Sequence, residues 1–251
     1  MGYNNLIIDT GNTFHKIAVI DVNNTLHEER VVTELTEDVI DELVLRYAPS
    51  KAIVSSTRGD ARLSAELLAK RVEFVLCLDS TTPLPIGVDY NRATLGTDRI
   101  AAAVGAVEIY GADSPMMIID AGTAITVDVV EGGVFRGGII SPGVDMRFEA
   151  LNEKTATLPL CSPKVLSGEL PQVGHNTEDA IIFGVMQSVF YEVKGYIEAF
   201  CEKNNKNLII FIGGDAEYFV NQIKSAIFAG RKLIYSGLNR ILEYNAENKE
   251  I

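Results

Sequence analysis

The chain opens with apolar residues in short runs. Residues 4–10 carry Leu6-Ile7-Ile8 and end in Asp9-Thr10-Gly11, the pattern of a buried strand. Residues 14–21 alternate into a second strand. The turn between them holds Gly11-Asn12, residue types that tolerate φ > 0. Residues 27–33 give a third strand. The period then changes: Thr36 is placed to cap a helix whose apolar positions Val39, Ile40, Leu43, Val44 and Tyr47 follow helical spacing. A strand over 51–56, a helix over 60–70 and a strand over 72–77 come next. Residues 79–95 contain Pro83, Pro85 and Gly87 and read as a loop. A helix follows from Thr97, its expected N-cap, to Tyr110.

The cluster Gly111-Ala112-Asp113-Ser114-Pro115 breaks this pattern, and the domain boundary is expected there, giving domains 1–113 and 114–251. Beyond it the order repeats. Met117-Ile118-Ile119-Asp120-Ala121-Gly122-Thr123 has the form of Leu6-Ile7-Ile8-Asp9-Thr10-Gly11-Asn12, and strands over 124–130 and 134–140 follow. Residues 143–152 read as a helix and 153–176 as irregular chain. A long helix spans 177–203 with Thr177 at its N-cap. The remainder reads as a strand over 208–212, Gly213-Gly214-Asp215-Ala216 opening a helix, a short strand near 232–234 and a last helix to about 246. One Asp-x-Gly turn is a common hairpin. Two, each closing the first strand of a half, predict a duplicated α/β fold.

Composition narrows the classes. Of 251 residues 47% are hydrophobic and 22% charged, enough for a core in each half. The formal net charge of -12 repels a phosphate backbone, so no nucleic-acid partner is expected. A local nest of backbone N–H groups still lets an acidic protein bind ATP. Cys77, Cys161 and Cys201 lie far apart, with no C-x-x-C and no histidine at ligand spacing, which argues against a disulfide framework or a zinc site. The first residues lack the basic and apolar regions of a secretory signal, and no apolar run reaches a membrane span. A cytoplasmic protein without a membrane partner is expected.

The chain has no G-x-x-x-x-G-K-[ST], no G-x-G-x-x-G after a strand and no G-x-S-x-G. The candidate chemistry lies in turns at strand ends. Asp9-Thr10-Gly11-Asn12-Thr13 can cradle a phosphate with backbone N–H groups, Lys16 can reach it as a point charge, and Asp9 suits a hydrated Mg²⁺. A plain hairpin with a solvated lysine fits the same residues. Asp120-Ala121-Gly122-Thr123 offers a second such turn, and the glycines of Gly213-Gly214 let a flat base or ribose approach the backbone. Gly96-Thr97-Asp98-Arg99 starts a helix. Thr97 and Asp98 suit any helix start, but a cation at Arg99 opposes the positive helix end. An Asp–Arg pair there can also serve a hydroxyl substrate, the Asp taking its proton and the Arg holding a polar or anionic oxygen.

Taken in order, Asp9-x-Gly-Asn-Thr, Gly96-x-Asp-Arg, Asp120-x-Gly-Thr-Ala-x-Thr-x-Asp128, Gly137-Gly-x-Ile-x-Pro-Gly143 and Thr177 with Ala180-Ile-x-x-Gly184 resemble type III pantothenate kinases over roughly residues 5 to 216. The resemblance implies two duplicated ribonuclease-H-like domains of the actin-like ATPase group with a central ATP cleft, and ATP-dependent phosphorylation of pantothenate. It implies ATP contacts at Asp9, Thr10, Gly11, Asn12, Thr13, Phe14, His15, Lys16 and Thr123. Asp98 would be the proton acceptor. Tyr90, Gly96, Thr97, Asp98, Arg99 and Thr177 would contact pantothenate. Asp120 would ligate a monovalent cation, K⁺ or NH₄⁺. A homodimer built on the Gly137–Leu151 segment and the long helix is implied as well. The sequence departs from the family at Tyr90-Asn91-Arg92-Ala93, where a proline often follows the tyrosine.

Overall fold

The structure, a computed structural model, describes residues 4–11, 14–58, 61–162, 173–204, 206–223 and 226–248. Packing divides the chain into two compact units. The first is Met1–Ala112 with Gly133–Phe135 and Arg231–Ile251; the second is Asp113–Gly132 with Arg136–Gly230.

Unit 1 contains β1 (Asn4–Thr10), β2 (His15–Asp21), β3 (Leu26–Val32), α1 (Glu37–Tyr47), β4 (Lys51–Ser56), α2 (Ala61–Leu68), β5 (Phe74–Cys77), β6 (Gly87–Val88) and α3 (Thr97–Tyr110). Its main sheet runs β3-β2-β1-β4-β5. β1 pairs antiparallel with β2 and parallel with β4. Strand alternation sends Leu6 and Ile8 to one face, where they join Ile17, Val19, Val54 and the α1 residues Ile40 and Leu43 in one core. α1 begins as its sequence suggests, with the Val39 N–H donating to Thr36 Oγ1 at 3.4 Å.

Unit 2 holds β7 (Met116–Ala121), β8 (Ala124–Glu131), β9 (Val134–Pro142), α4 (Val144–Glu153), α5 (Thr177–Lys203), β10 (Leu208–Ile212), α6 (Ala216–Val220) and β11 (Ala226–Phe228). The first two residues of β9, Val134 and Phe135, pair with β6 and count with unit 1. Strand order from the other end is β9-β8-β7-β10-β11. That is the plan of β3-β2-β1-β4-β5: a meander of three strands, then parallel neighbours added beside the first. Asp9 and Asp120 occupy the same place in the two plans, near the end of the first strand. The duplication read from two Asp-x-Gly turns is thus present in the strand order. α5 covers the unit 2 sheet with a stripe at helical spacing, Ile182, Val185, Val189, Val193 and Ile197, packed on Ile119, Ile125 and Val127.

Four expectations differ from the structure. Residues 232–234 are not a strand: they open α7 (Lys232–Glu247), and the short strand is β11 instead. Leu233, Leu238, Ile241 and Leu242 are all fully buried, a helical stripe that outweighs the β-prone Leu-Ile-Tyr run. α7 also counts with unit 1, although the expected division at 113/114 puts it in the second half. Gly105 of α3 and Gly237 of α7 explain this packing: a Cβ on either would overlap a backbone carbonyl of the other helix, so the two backbones touch. The loop over 79–95 contains β6. The N-caps of α3 and α5 are Gly96 and Asn176, one residue before Thr97 and Thr177. At α5 the Asn176 amide oxygen accepts from Asp179 N at 2.9 Å, leaving Thr177 as an exposed first-turn residue.

Candidate active site

In unit 1 the functional groups gather at one end of β1 and β4 and at the start of α3. Asp9 is 7% exposed, and the register sets it opposite Lys16 on β2 and Ser55 on β4. Lys16 Nζ lies 3.8 Å from Asp9 Oδ2. Burial is the largest influence on the Asp9 carboxyl and raises its pKa; Lys16 opposes the rise, the charge on Asp98 adds to it, and a hydrogen bond from Ser55 lowers it. At the next position Thr10 Oγ1 and His15 Nδ1 are 3.0 Å apart, so the buried imidazole braces the strand end. The Gly11 N–H donates to the Phe14 carbonyl at 3.0 Å and closes the turn, with Phe14 exposed. Asn12 and Thr13 lie outside the described residues.

The start of α3 carries the second group. Asp98 is half-buried, and its Oδ1 accepts the Arg99 N–H at 2.8 Å. Gly96 makes this geometry possible: a Cβ there would overlap Asp98 Oδ1. Thr97, no longer needed as a cap, reaches back to β4. Its Oγ1 is 3.0 Å from Ser55 Oγ and 3.4 Å from the Ser56 carbonyl. The cation opposing the helix end also has a physical answer. Arg99 is buried with its guanidinium 5.3 Å from the Tyr90 ring centre and 5.5 Å from that of Phe135. The two rings meet edge-on at 5.9 Å, and their faces offset the cost of the buried charge. Tyr90 therefore keeps its place beside Arg99 despite the sequence departure after it.

In unit 2, Asp120 is half-buried near the end of β7. Gly213, at φ +98, brings the segment after β10 so close that a Cβ would lie 2.5 Å from Asp120 Oδ1 and overlap the Ala121 carbonyl. That carbonyl accepts the Asp215 N–H at 2.9 Å. Gly143 donates to the Thr123 carbonyl at 3.2 Å, and a Cβ there would strike the same oxygen. Two glycine-dependent segments thus converge on the Asp120 turn. The Asp215 carboxyl is raised by burial first and by Asp145 second. Thr123 and Thr177 are both exposed; Thr177 sits at the start of α5.

The structure therefore brings together Asp9, Thr97 and Asp98, and separately Tyr90 and Arg99, within unit 1. Asp120, Thr123 and Gly213 form the unit 2 group. Ser55, Phe135 and Gly143 join these groups without having been singled out as site residues. Ser55 carries no local motif, and only the pairing of β4 with β1 reveals it.

A model of the type III pantothenate kinase family matches residues 5–199. The type III pantothenate kinase of Porphyromonas gingivalis strain W83 is 37% identical over 242 residues, covering 96% of this chain and 98% of that protein. That of Bacteroides fragilis strain ATCC 25285 is 41% identical over 244 residues, with 96% and 98% covered. Among solved structures, a Campylobacter jejuni protein assigned to the Baf family of transcriptional activators superposes with a TM-score of 0.64 at 22% identity, covering 96% of this chain and 99% of that one. The activator of 2-hydroxyisocaproyl-CoA dehydratase from Clostridium difficile gives 0.53 at 13% identity, covering 99% and 98%. These structural likenesses, with the repeated strand plan, show the actin-like duplicated α/β fold.

Proposed function

The chain belongs to the type III pantothenate kinase family, and from that premise we propose that it transfers the γ-phosphoryl group of ATP to the primary hydroxyl of pantothenate, the first step of coenzyme A biosynthesis. The observation that carries the reading is the Asp98 carboxylate, held by its neighbour's N–H above a glycine that leaves room for it. Asp98 accepts the hydroxyl proton as the substrate oxygen bonds to the γ-phosphorus. The bond from that phosphorus to the β-bridging oxygen breaks, and ADP leaves with the electron pair. Arg99, fixed on Tyr90 and Phe135, holds a polar or anionic oxygen of pantothenate; Gly96 and Thr97 shape the same wall, and Thr177 supplies a further contact.

Asp9 to Lys16 form the first phosphate turn, with Lys16 as point charge. Thr123 supplies an ATP contact in the second. Among the described residues no group of three or more His, Cys, Asp or Glu is placed to hold a metal ion. A hydrated Mg²⁺ arriving with the nucleotide fits that composition, since it takes only one or two carboxylates, here Asp9. Such an ion offsets charge on the phosphates. Asp120, a half-buried oxygen donor near the end of β7, suits K⁺ or NH₄⁺. A homodimer through the Gly137–Leu151 segment and α5 is supported by exposed Ile139, Ile140, Met146 and Tyr191 on those segments. No described helix is long and apolar enough to cross a membrane, and we place the enzyme in the cytoplasm.

Asp98→Asn tests the base assignment. It keeps the side-chain shape, so the unfolding midpoint should stay put while kcat falls about 10²–10⁴-fold. Unchanged turnover would remove Asp98 from the role.

A further inference from the structure

The two strand plans differ beside their aspartates. Asp120 faces Ile212 on its parallel neighbour, whereas Asp9 faces Ser55. Ser55 is fully buried. Burying a hydroxyl without partners is unfavourable, so a serine at this place calls for partners. It has them on two sides: the register sets it beside the Asp9 carboxylate, whose pKa it lowers, and its Oγ lies 3.0 Å from Thr97 Oγ1. Thr97 precedes Asp98 and opens α3. We propose that Ser55 is a positioning residue that ties the carboxylate of the first phosphate turn to the helix start carrying Asp98, and so holds the donor and acceptor ends of the reaction in register. This rests on the roles given above to Asp9 and Asp98.

The proton inventory gives the link its logic. Ser55 and Thr97 have one hydroxyl proton each. In one arrangement Thr97 donates to Ser55 and Ser55 donates to Asp9. In the other, Ser55 donates to Thr97 and Thr97 donates to the Ser56 carbonyl, 3.4 Å away. The first serves an ionised Asp9; the second leaves that carboxylate without the Ser55 proton. Removing either hydroxyl breaks the same chain, so the two losses should not add.

The test is a double-mutant cycle of Ser55→Ala and Thr97→Val, with Thr97→Ser as the conservative control. Readouts are kcat, both KM values, the urea midpoint, and Mg²⁺–ATP affinity by calorimetry without acceptor. Each single variant should lower kcat about tenfold or more, the range for a hydrogen bond in a chain ending on a charged group, with the KM for pantothenate moving less than about threefold. The double variant should be no slower than the slower single one, and Thr97→Ser should recover kcat to within about threefold of the unaltered protein. Turnover within about twofold in Ser55→Ala, additive losses, failed recovery by Thr97→Ser, or losses that track the urea midpoint would each overturn the proposal. If the unaltered protein does not turn over pantothenate, the functional reading fails by itself. The binding arm then decides the link at Asp9: Ser55→Ala should weaken Mg²⁺–ATP about tenfold, and unchanged affinity overturns it.

Discussion

Replacing Gly96 by alanine separates the geometry of the base from the stability of its helix. Gly96 has φ -59 and ψ 141, a conformation open to alanine, so the backbone does not resist the change. As N-cap it makes no side-chain bond, and losing glycine there costs about 0.5–1 kcal/mol. The new Cβ, however, overlaps Asp98 Oδ1. That oxygen ends a short side chain, so it can swing away at little cost in folding energy. Doing so breaks its 2.8 Å bond from Arg99 N and displaces the carboxylate. A displacement of about 1 Å at a reacting group costs on the order of 10²-fold in rate. Gly96→Ala is therefore expected to fold, to melt within about 2–4 °C of the parent, and to lose about 100-fold in kcat. ADP release at saturating ATP and pantothenate reads the rate, and calorimetric melting reads the fold. A kcat within about twofold of the parent, or a rate loss matched by loss of folded protein, would refute the reasoning.

Gly105→Ala should behave in the opposite way. Its Cβ meets the Leu233 backbone carbonyl, which cannot swing aside, so α3 and α7 must separate at a cost of about 3 kcal/mol, and the melting temperature should fall roughly 6–12 °C. An unchanged melting temperature would contradict the close crossing. Asp9→Asn should stabilise while it inactivates. Burial raises the Asp9 carboxyl above its ordinary 3.8, so its contribution to stability is fully present below 3.8 and is lost as pH rises through the folded value. The urea midpoint of Asp9→Asn should thus exceed the parent's at pH 7, and the gain should shrink as pH falls toward 3.8; a lower midpoint at pH 7 refutes it. Tyr90→Ala should raise the KM for pantothenate about tenfold with kcat changed less than threefold, because one ring beneath Arg99 is lost, while Tyr90→Phe keeps the ring and should stay near the parent value. An equal rise in Tyr90→Phe would assign the effect to the hydroxyl.

Much of this architecture is legible because its signals are local. β1, β7 and the long α5 are set by apolar runs and helical stripes that need no tertiary context. Asp9 and Asp120 stand out because the same turn occurs twice. The misread elements are those where local preference and packing disagree. Leu233-Ile234-Tyr235 favours a strand by composition, yet it opens a helix pressed against α3, in which the buried Leu238, Ile241 and Leu242 share a face at helical spacing. Thr97 and Thr177 are good caps by type, but a glycine and an asparagine one residue earlier take the position. Ser55 and Phe135 were beyond reach for another reason. Their partners, Asp9 and Thr97 for the first and Tyr90 and Arg99 for the second, come from distant parts of the chain and meet only through strand pairing.

The most direct test of the central claim is ADP release with ATP, Mg²⁺ and pantothenate, run in parallel in KCl and NaCl, with the product identified by mass spectrometry. The account predicts ADP production that requires pantothenate, a product carrying one added phosphoryl group, and faster turnover in KCl. Folded protein that binds ATP but releases no pantothenate-dependent ADP in either salt would contradict it.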